Sequence, residues 1–137
     1  MSKTLTVEGD ITAVDTRTLL TSQGSVTAPS LVVPSGMSKI EKILVAVSAE
    51  GLVDGSTAFV LRLGGSGILK GEQAITVGAC GRIAPQAGSD SAPQVGRLLV
   101  LDNVDIDISP SDTITIAGEA CGTDPGTARM VVTVIFA

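Results

Sequence analysis

ARMVVTVIF, residues 128–136, places Met130, Val132, Val134 and Phe136 at one parity and Val131, Thr133 and Ile135 at the other. Alternation of period two in β-branched residues marks a strand. A strand that is apolar at both parities has to lie inside a sheet or against a neighbouring chain. The same signal recurs upstream. Ile43, Val45 and Val47 share one face and Leu44 and Ala46 the other, which predicts a central strand covered on both sides. Ser56 to Leu63 sets Phe59, Leu61 and Leu63 inward and Arg62 outward, and Gly64-Gly65-Ser66-Gly67 then turns the chain into Ile68 to Lys70 as a hairpin.

Further strand signals cover Leu5 and Val7, Ile11 to Val14, Arg17 to Thr21, Ser30 to Val33, Ala74 to Ala79, Arg97 to Leu101 running on towards Ile108, and Thr113 to Ala117. Gly, Pro, Asp and Ser separate them, and helical periodicity is nearly absent. About eight to ten short strands with evenly spaced turns predict an all-β fold, a two-sheet antiparallel β-sandwich. A jelly roll is the first expectation for its topology and an immunoglobulin-like Greek key the second, because strand number alone does not fix the order of connection.

The chain has 137 residues, the size of one domain spanning 1–137. Its least regular stretch, Gly81 to Gly96 (GRIAPQAGSDSAPQVG), is a long loop, of a length that usually serves contact or function. Nine basic against fourteen acidic residues leave a net charge of −5, and the basic ones are scattered except for Lys39 and Lys42. That distribution argues against a nucleic-acid face. Phe59 and Phe136 are the only aromatic residues, and Tyr, Trp and His are absent. Counting the sixteen glycines, about 56% of the chain is apolar, against roughly 45–50% for an average soluble domain. A chain this short has limited interior, so the surplus points to a homo-oligomer whose copies cover one another; a monomer with strands buried on both faces is the alternative. The longest apolar run, Ile43 to Val47, is five residues and far short of a membrane span. No secretory signal precedes the first strand, so synthesis in the cytoplasm is expected.

NVDIDISPSD, residues 103–112, raises the question of a metal or catalytic site. On a strand, Asp105 and Asp107 point to one side about 6.6 Å apart, while Val104, Ile106 and Ile108 point to the other. The simplest expectation is a wet strand face. A calcium site drawing on Asp102, Asp105, Asp107 or Asp112 is the alternative, and it would need further oxygens from elsewhere. EF-hand spacing fails, since the sixth position from Asp105 is Pro110. Cys80 and Cys121 each follow an alternating strand, so they are expected at the same end of two neighbouring strands, either reduced or paired as a disulfide. Without His, Ser-His-Asp and Cys-His chemistry cannot be built. The Gly65-x-Gly67-x-x-Lys70-Gly71 spacing sits in an expected hairpin, not at a helix start, and carries no phosphate-binding implication. Paired carboxylates acting on a sugar would lack the Trp or Tyr on which sugar rings usually stack.

Asp105-Ile106-Asp107-Ile108-Ser109-Pro110-Ser111-Asp112-Thr113-Ile114-Thr115-Ile116, followed through a Gly-rich turn by Met130 to Phe136, resembles small single jelly-roll capsid or decoration proteins of viruses. The resemblance implies a β-sandwich that acts through its surfaces, with no catalytic residues.

These readings together predict a non-enzymatic structural subunit that self-assembles through apolar strand faces and loops, as a virion coat or decoration protein, with Leu5, Val7, Ile83, Val131 and Ile135 as contact residues. No cofactor is expected, calcium being the one candidate. The expected partners are copies of itself and other particle proteins, without nucleic acid or membrane insertion, and the expected destination is a virion or extracellular assembly. A filament protein and a calcium- or carbohydrate-binding module are the alternatives.

Overall fold

The computed structural model describes residues 3–22, 30–50, 58–79, 97–110, 112–121 and 127–137. The expected loop at 81–96, with Ile83, and the cysteine at position 80 lie outside the described residues. The strands are β1 (Lys3–Ile11), β2 (Thr18–Leu19), β3 (Thr21–Ser22), β4 (Ser30–Val32), β5 (Lys39–Glu50), β6 (Ala58–Gly64), β7 (Gln73–Ala79), β8 (Arg97–Leu101), β9 (Ile106–Asp107), β10 (Thr113–Cys121) and β11 (Thr127–Phe136).

They form two antiparallel sheets. Sheet 1 runs β3-β1-β11-β5-β8, with β9 also paired to β5; sheet 2 runs β2-β10-β6-β7, with β4 also on β10. The pairings are nested along the chain. β1 joins β11 from Lys3↔Phe136 to Ile11↔Ala128. β2 and β4 join β10, β5 joins β8, and β6 joins β7 as the innermost hairpin. One long antiparallel ribbon has therefore been rolled so that its segments fall alternately into two layers. This is jelly-roll topology. An immunoglobulin-like Greek key does not nest its pairs in this way, so strand order selects the first of the two expected topologies.

The core follows from parity. Ile43, Val45 and Val47 of β5 and Met130, Val132, Val134 and Phe136 of β11 face Phe59, Leu61 and Leu63 of β6 and Ile114 and Ile116 of β10, all buried. Both Phe side chains lie here, one from each sheet. The sheets approach closely at Gly118, where an added Cβ would stand 2.6 Å from Ile11 Cδ1 and 2.9 Å from Met130 Sδ.

Three local expectations are corrected. Ile11 to Val14 is not a separate strand; β1 runs unbroken to Ile11, and Val14 makes only an isolated bridge to Ala120. The hairpin from β6 does not return at Ile68 to Lys70 but at β7. Residues 65–72 instead lie against the 107–113 segment: Gly67 N–H donates to Thr113 O at 2.7 Å, and Ser109 N–H donates to Gly67 O at 2.9 Å. Only glycine suits position 65, where φ is +94° and an added Cβ would stand 2.7 Å from Thr113 O.

The third correction concerns the strand expected to run from Arg97 towards Ile108. It is broken after Leu101. Leu101 pairs with Ile43 and Ile106 with Ile40, so residues 102–105 must fit opposite Glu41 and Lys42 alone. The surplus is absorbed by left-handed backbone at Asn103 and Asp105, each with φ of 55°. Asn and Asp are the non-glycine types that adopt this conformation most readily. Val104 N–H donates to Glu41 O at 2.9 Å, which holds the bulge against the sheet.

Candidate functional site: the two outer faces of the sandwich

The outward parity of sheet 1 forms registered rows across four strands. One row is Thr6, Thr133, Leu44 and Val100; the next is Glu8, Val131, Ala46 and Leu98. Towards the β8 edge the rows are apolar. Leu98 is 67% and Val100 47% exposed, while Leu44, Val131 and Ile135 are half-buried by their neighbours. Towards β1 they turn polar, with the Thr6 and Thr133 hydroxyls 3.1 Å apart.

Charges rim this block and are largely paired within the chain. Arg129 reaches Glu8 at 2.6 Å and Asp10 at 2.8 Å, and the hydrogen bonds it donates to Asp10 and then Glu8 hold its guanidinium more firmly protonated than usual. On the other side Lys42 binds Asp102 at 2.9 Å and Lys39 lies 3.6 Å from Asp105. The Asp102 hydrogen bond is the main reason that the Lys42 ammonium is raised above its ordinary pKa. Beside this pair, Glu41, Lys42, Asp102, Asn103 and Ile135 line an open cleft of about 540 Å³.

Sheet 2 has a different outer face. Arg17 donates to Glu72 at 2.7 Å, Glu72 lies 3.4 Å from Arg62, and Arg62 reaches Glu119 at 3.0 Å. The four side chains come from the segment before β2, from the residue before β7, from β6 and from β10. Hydrogen bonding by Arg17 holds the Glu72 carboxyl below its ordinary value, and Glu119 is the first cause of the raised Arg62 pKa. Such partly solvated pairs add little stability singly, and a linked set restrains more than its members do separately. Leu19 and Val32 are exposed at the β2/β4 edge of this face.

The sequence-derived site residues are distributed as follows. Asp102 and Asp105 are engaged by lysines, and Asp112 accepts hydrogen bonds from Ser66 Oγ and from Thr113 N–H. Asp107 sits on β9, paired with Lys39. Asp105 is in the bulge, so the expected shared strand face with Asp107 does not form. Among the described residues no three Asp, Glu, Cys or His side chains are grouped to hold a metal ion.

Cys121 ends β10 as a free, half-buried thiol. It pairs across to Ala58, which pairs with Ala79. β6 therefore stands between β7 and β10, which share an end but are not the neighbours that the sequence suggested.

Of the expected contact residues, Val131 and Ile135 lie on the outer face of sheet 1. Val7 does not: it is fully buried, because the odd positions of β1 face the core. Leu5 shares that parity and lies partly buried against the core. Ile83 is outside the described residues. Sequence reasoning missed Leu98 and Val100, although their alternation in Arg97 to Leu101 was visible. It also took Leu44 and Ala46 as covered, whereas Ala46 is exposed. Arg62–Glu119 had no sequence signal, since the partners are 57 positions apart.

No family model matches the chain, and no curated protein matches it. Among solved structures it is similar to the PRD1 vertex protein P5, at 14% identity and a TM-score of 0.48, over 96% of this chain and 71% of that one. It is also similar to the cyanophage Pam1 capsid asymmetric unit, at 10% identity and 0.44, over 98% and 83%. A third is the acidic stable capsid structure of Helicobacter pylori bacteriophage KHP30, at 10% and 0.42, over 100% and 94%. At these identities and scores the jelly-roll assignment rests on the strand order itself.

Proposed function

We propose that this chain is a non-enzymatic structural subunit that self-assembles, as a coat or decoration protein of a virion, with copies of itself and other particle proteins as partners. The observation that carries the reading is the outer face of sheet 1. Leu98, Val100, Leu44, Ala46 and Val131 form one apolar block in register, and the charges around it are already paired within the chain. Contiguous exposed apolar surface with a polar rim is the anatomy of an interface. Each 100 Å² of such surface hidden is worth about 2.5 kcal/mol before association costs, so modest contacts repeated through a shell suffice. The test is sedimentation velocity over a wide concentration range, with electron microscopy of the concentrated protein. Concentration-dependent oligomers or particles are the expected result; a monomer at every concentration, at low and high salt, overturns the proposal.

A further inference from the structure

We infer that the outer face of sheet 1 is covered by the same face of a second copy of this chain, sheet against sheet, leaving the ionic face of sheet 2 to solvent. The inference rests on the self-assembly reading and adds which surface is used and what occupies it.

Area is the first argument. β1, β11 and β5 are nine, ten and twelve residues long and β8 is five. At about 3.3 Å per residue and about 4.8 Å between strands, these lengths give a footprint of roughly 600 Å². Stable interfaces bury about 800 Å² per partner, so this face alone approaches what a dimer needs once side-chain relief is counted.

Charge is the second. Arg129 is satisfied by Glu8 and Asp10, Lys42 by Asp102, and Lys39 lies beside Asp105. Covering the face therefore buries these groups as partnered charges, whereas unpaired buried charge is the usual obstacle to such burial. The ion pairs leave the face only a small negative excess, too little to select a strongly charged partner. A face with an apolar block and a nearly charge-balanced rim is matched by another like itself, about 10 Å away, with a twofold axis between them. The ionic chain on sheet 2 would instead lose solvation if covered.

The test compares wild type with Val100→Lys and Ala46→Glu on sheet 1 and with Leu19→Lys on sheet 2, by sedimentation velocity, with far-UV circular dichroism to establish folding. The sheet 1 variants are expected to weaken association at least tenfold and Leu19→Lys to leave it unchanged. Because each copy carries −5, wild-type association is expected to strengthen with salt as repulsion is screened. Hydroxyl-radical footprinting of the unmodified protein, above and below the association concentration, gives a readout independent of any variant. Leu98 and Val100 are expected to become protected only in the associated form. Association that persists in folded sheet 1 variants overturns this inference while leaving self-assembly standing. Protection of Leu98 and Val100 already in the monomer overturns it too, since the chain then covers its own face. A wild type that never associates removes both readings.

Discussion

Gly118 of β10 lies directly beneath Ile11 of β1, so close that a single added carbon would stand 2.6 Å from Ile11 Cδ1. The two residues belong to different sheets, and the missing side chain sets how near the layers come. Gly118→Ala is expected to destabilise the fold by about 1–3 kcal/mol, the usual cost of overfilling a close-packed core. Gly9→Ala is the comparison: an added Cβ there meets a single buried side chain, Leu20 Cδ2 at 2.9 Å, whereas at Gly118 it meets two, Ile11 at 2.6 Å and Met130 at 2.9 Å. Urea unfolding of both variants should therefore give clearly different midpoints.

Glu72 supplies a pH dependence whose sign follows from its partners. Arg17 and Arg62 hold its carboxyl below the ordinary 4.5. A carboxylate with a lowered folded pKa contributes stability that is present above the ordinary range and is lost as pH falls through the folded value. Glu72→Gln should therefore melt lower than wild type at neutral pH, and the gap should close in acid. Equal melting temperatures at neutral pH would show that the Arg17–Glu72–Arg62 link restrains nothing.

Cys121 should be a slow thiol. Burial first, and the neighbouring Glu119 carboxylate second, push its pKa above the ordinary 9.0, and the thiolate is the reactive form. In a Cys80→Ser variant, titration with an aromatic disulfide at pH 8 should proceed more slowly than for a free thiol and accelerate to the free rate in denaturant. Immediate full reaction of the folded protein would contradict the placement of Cys121.

The aspartates around the β8–β9 bulge should not respond to calcium. Lys42 occupies Asp102 at 2.9 Å, and Asp112 is taken by Ser66. Millimolar calcium, or a chelator, is expected to shift the melting temperature by less than about 1 °C, whereas a bound ion selective for the folded state would raise it by mass action. Asp102→Asn should disturb the cleft beside Lys42 without any calcium-dependent effect.

Strand parity was legible in the sequence because it is local: successive side chains point to opposite sides whatever the partner strand is. Ile43, Val45 and Val47, and Met130, Val132, Val134 and Phe136, could thus be grouped on shared faces, and Phe59, Leu61 and Leu63 turned inward, before any fold was known, and the all-β, two-layer class followed. What tertiary structure alone decided was which strands meet. Nesting Lys3 against Phe136, Ile43 against Leu101 and Ala58 against Ala79 requires closing loops of very different length, and no local pattern encodes that choice. The same long-range pairing buried Val7 and left Leu98 and Val100 in water, joined Arg62 to Glu119, and forced residues 102–105 into a bulge. Each depends on the register between segments distant in the chain, and register is fixed only when the whole ribbon has rolled up.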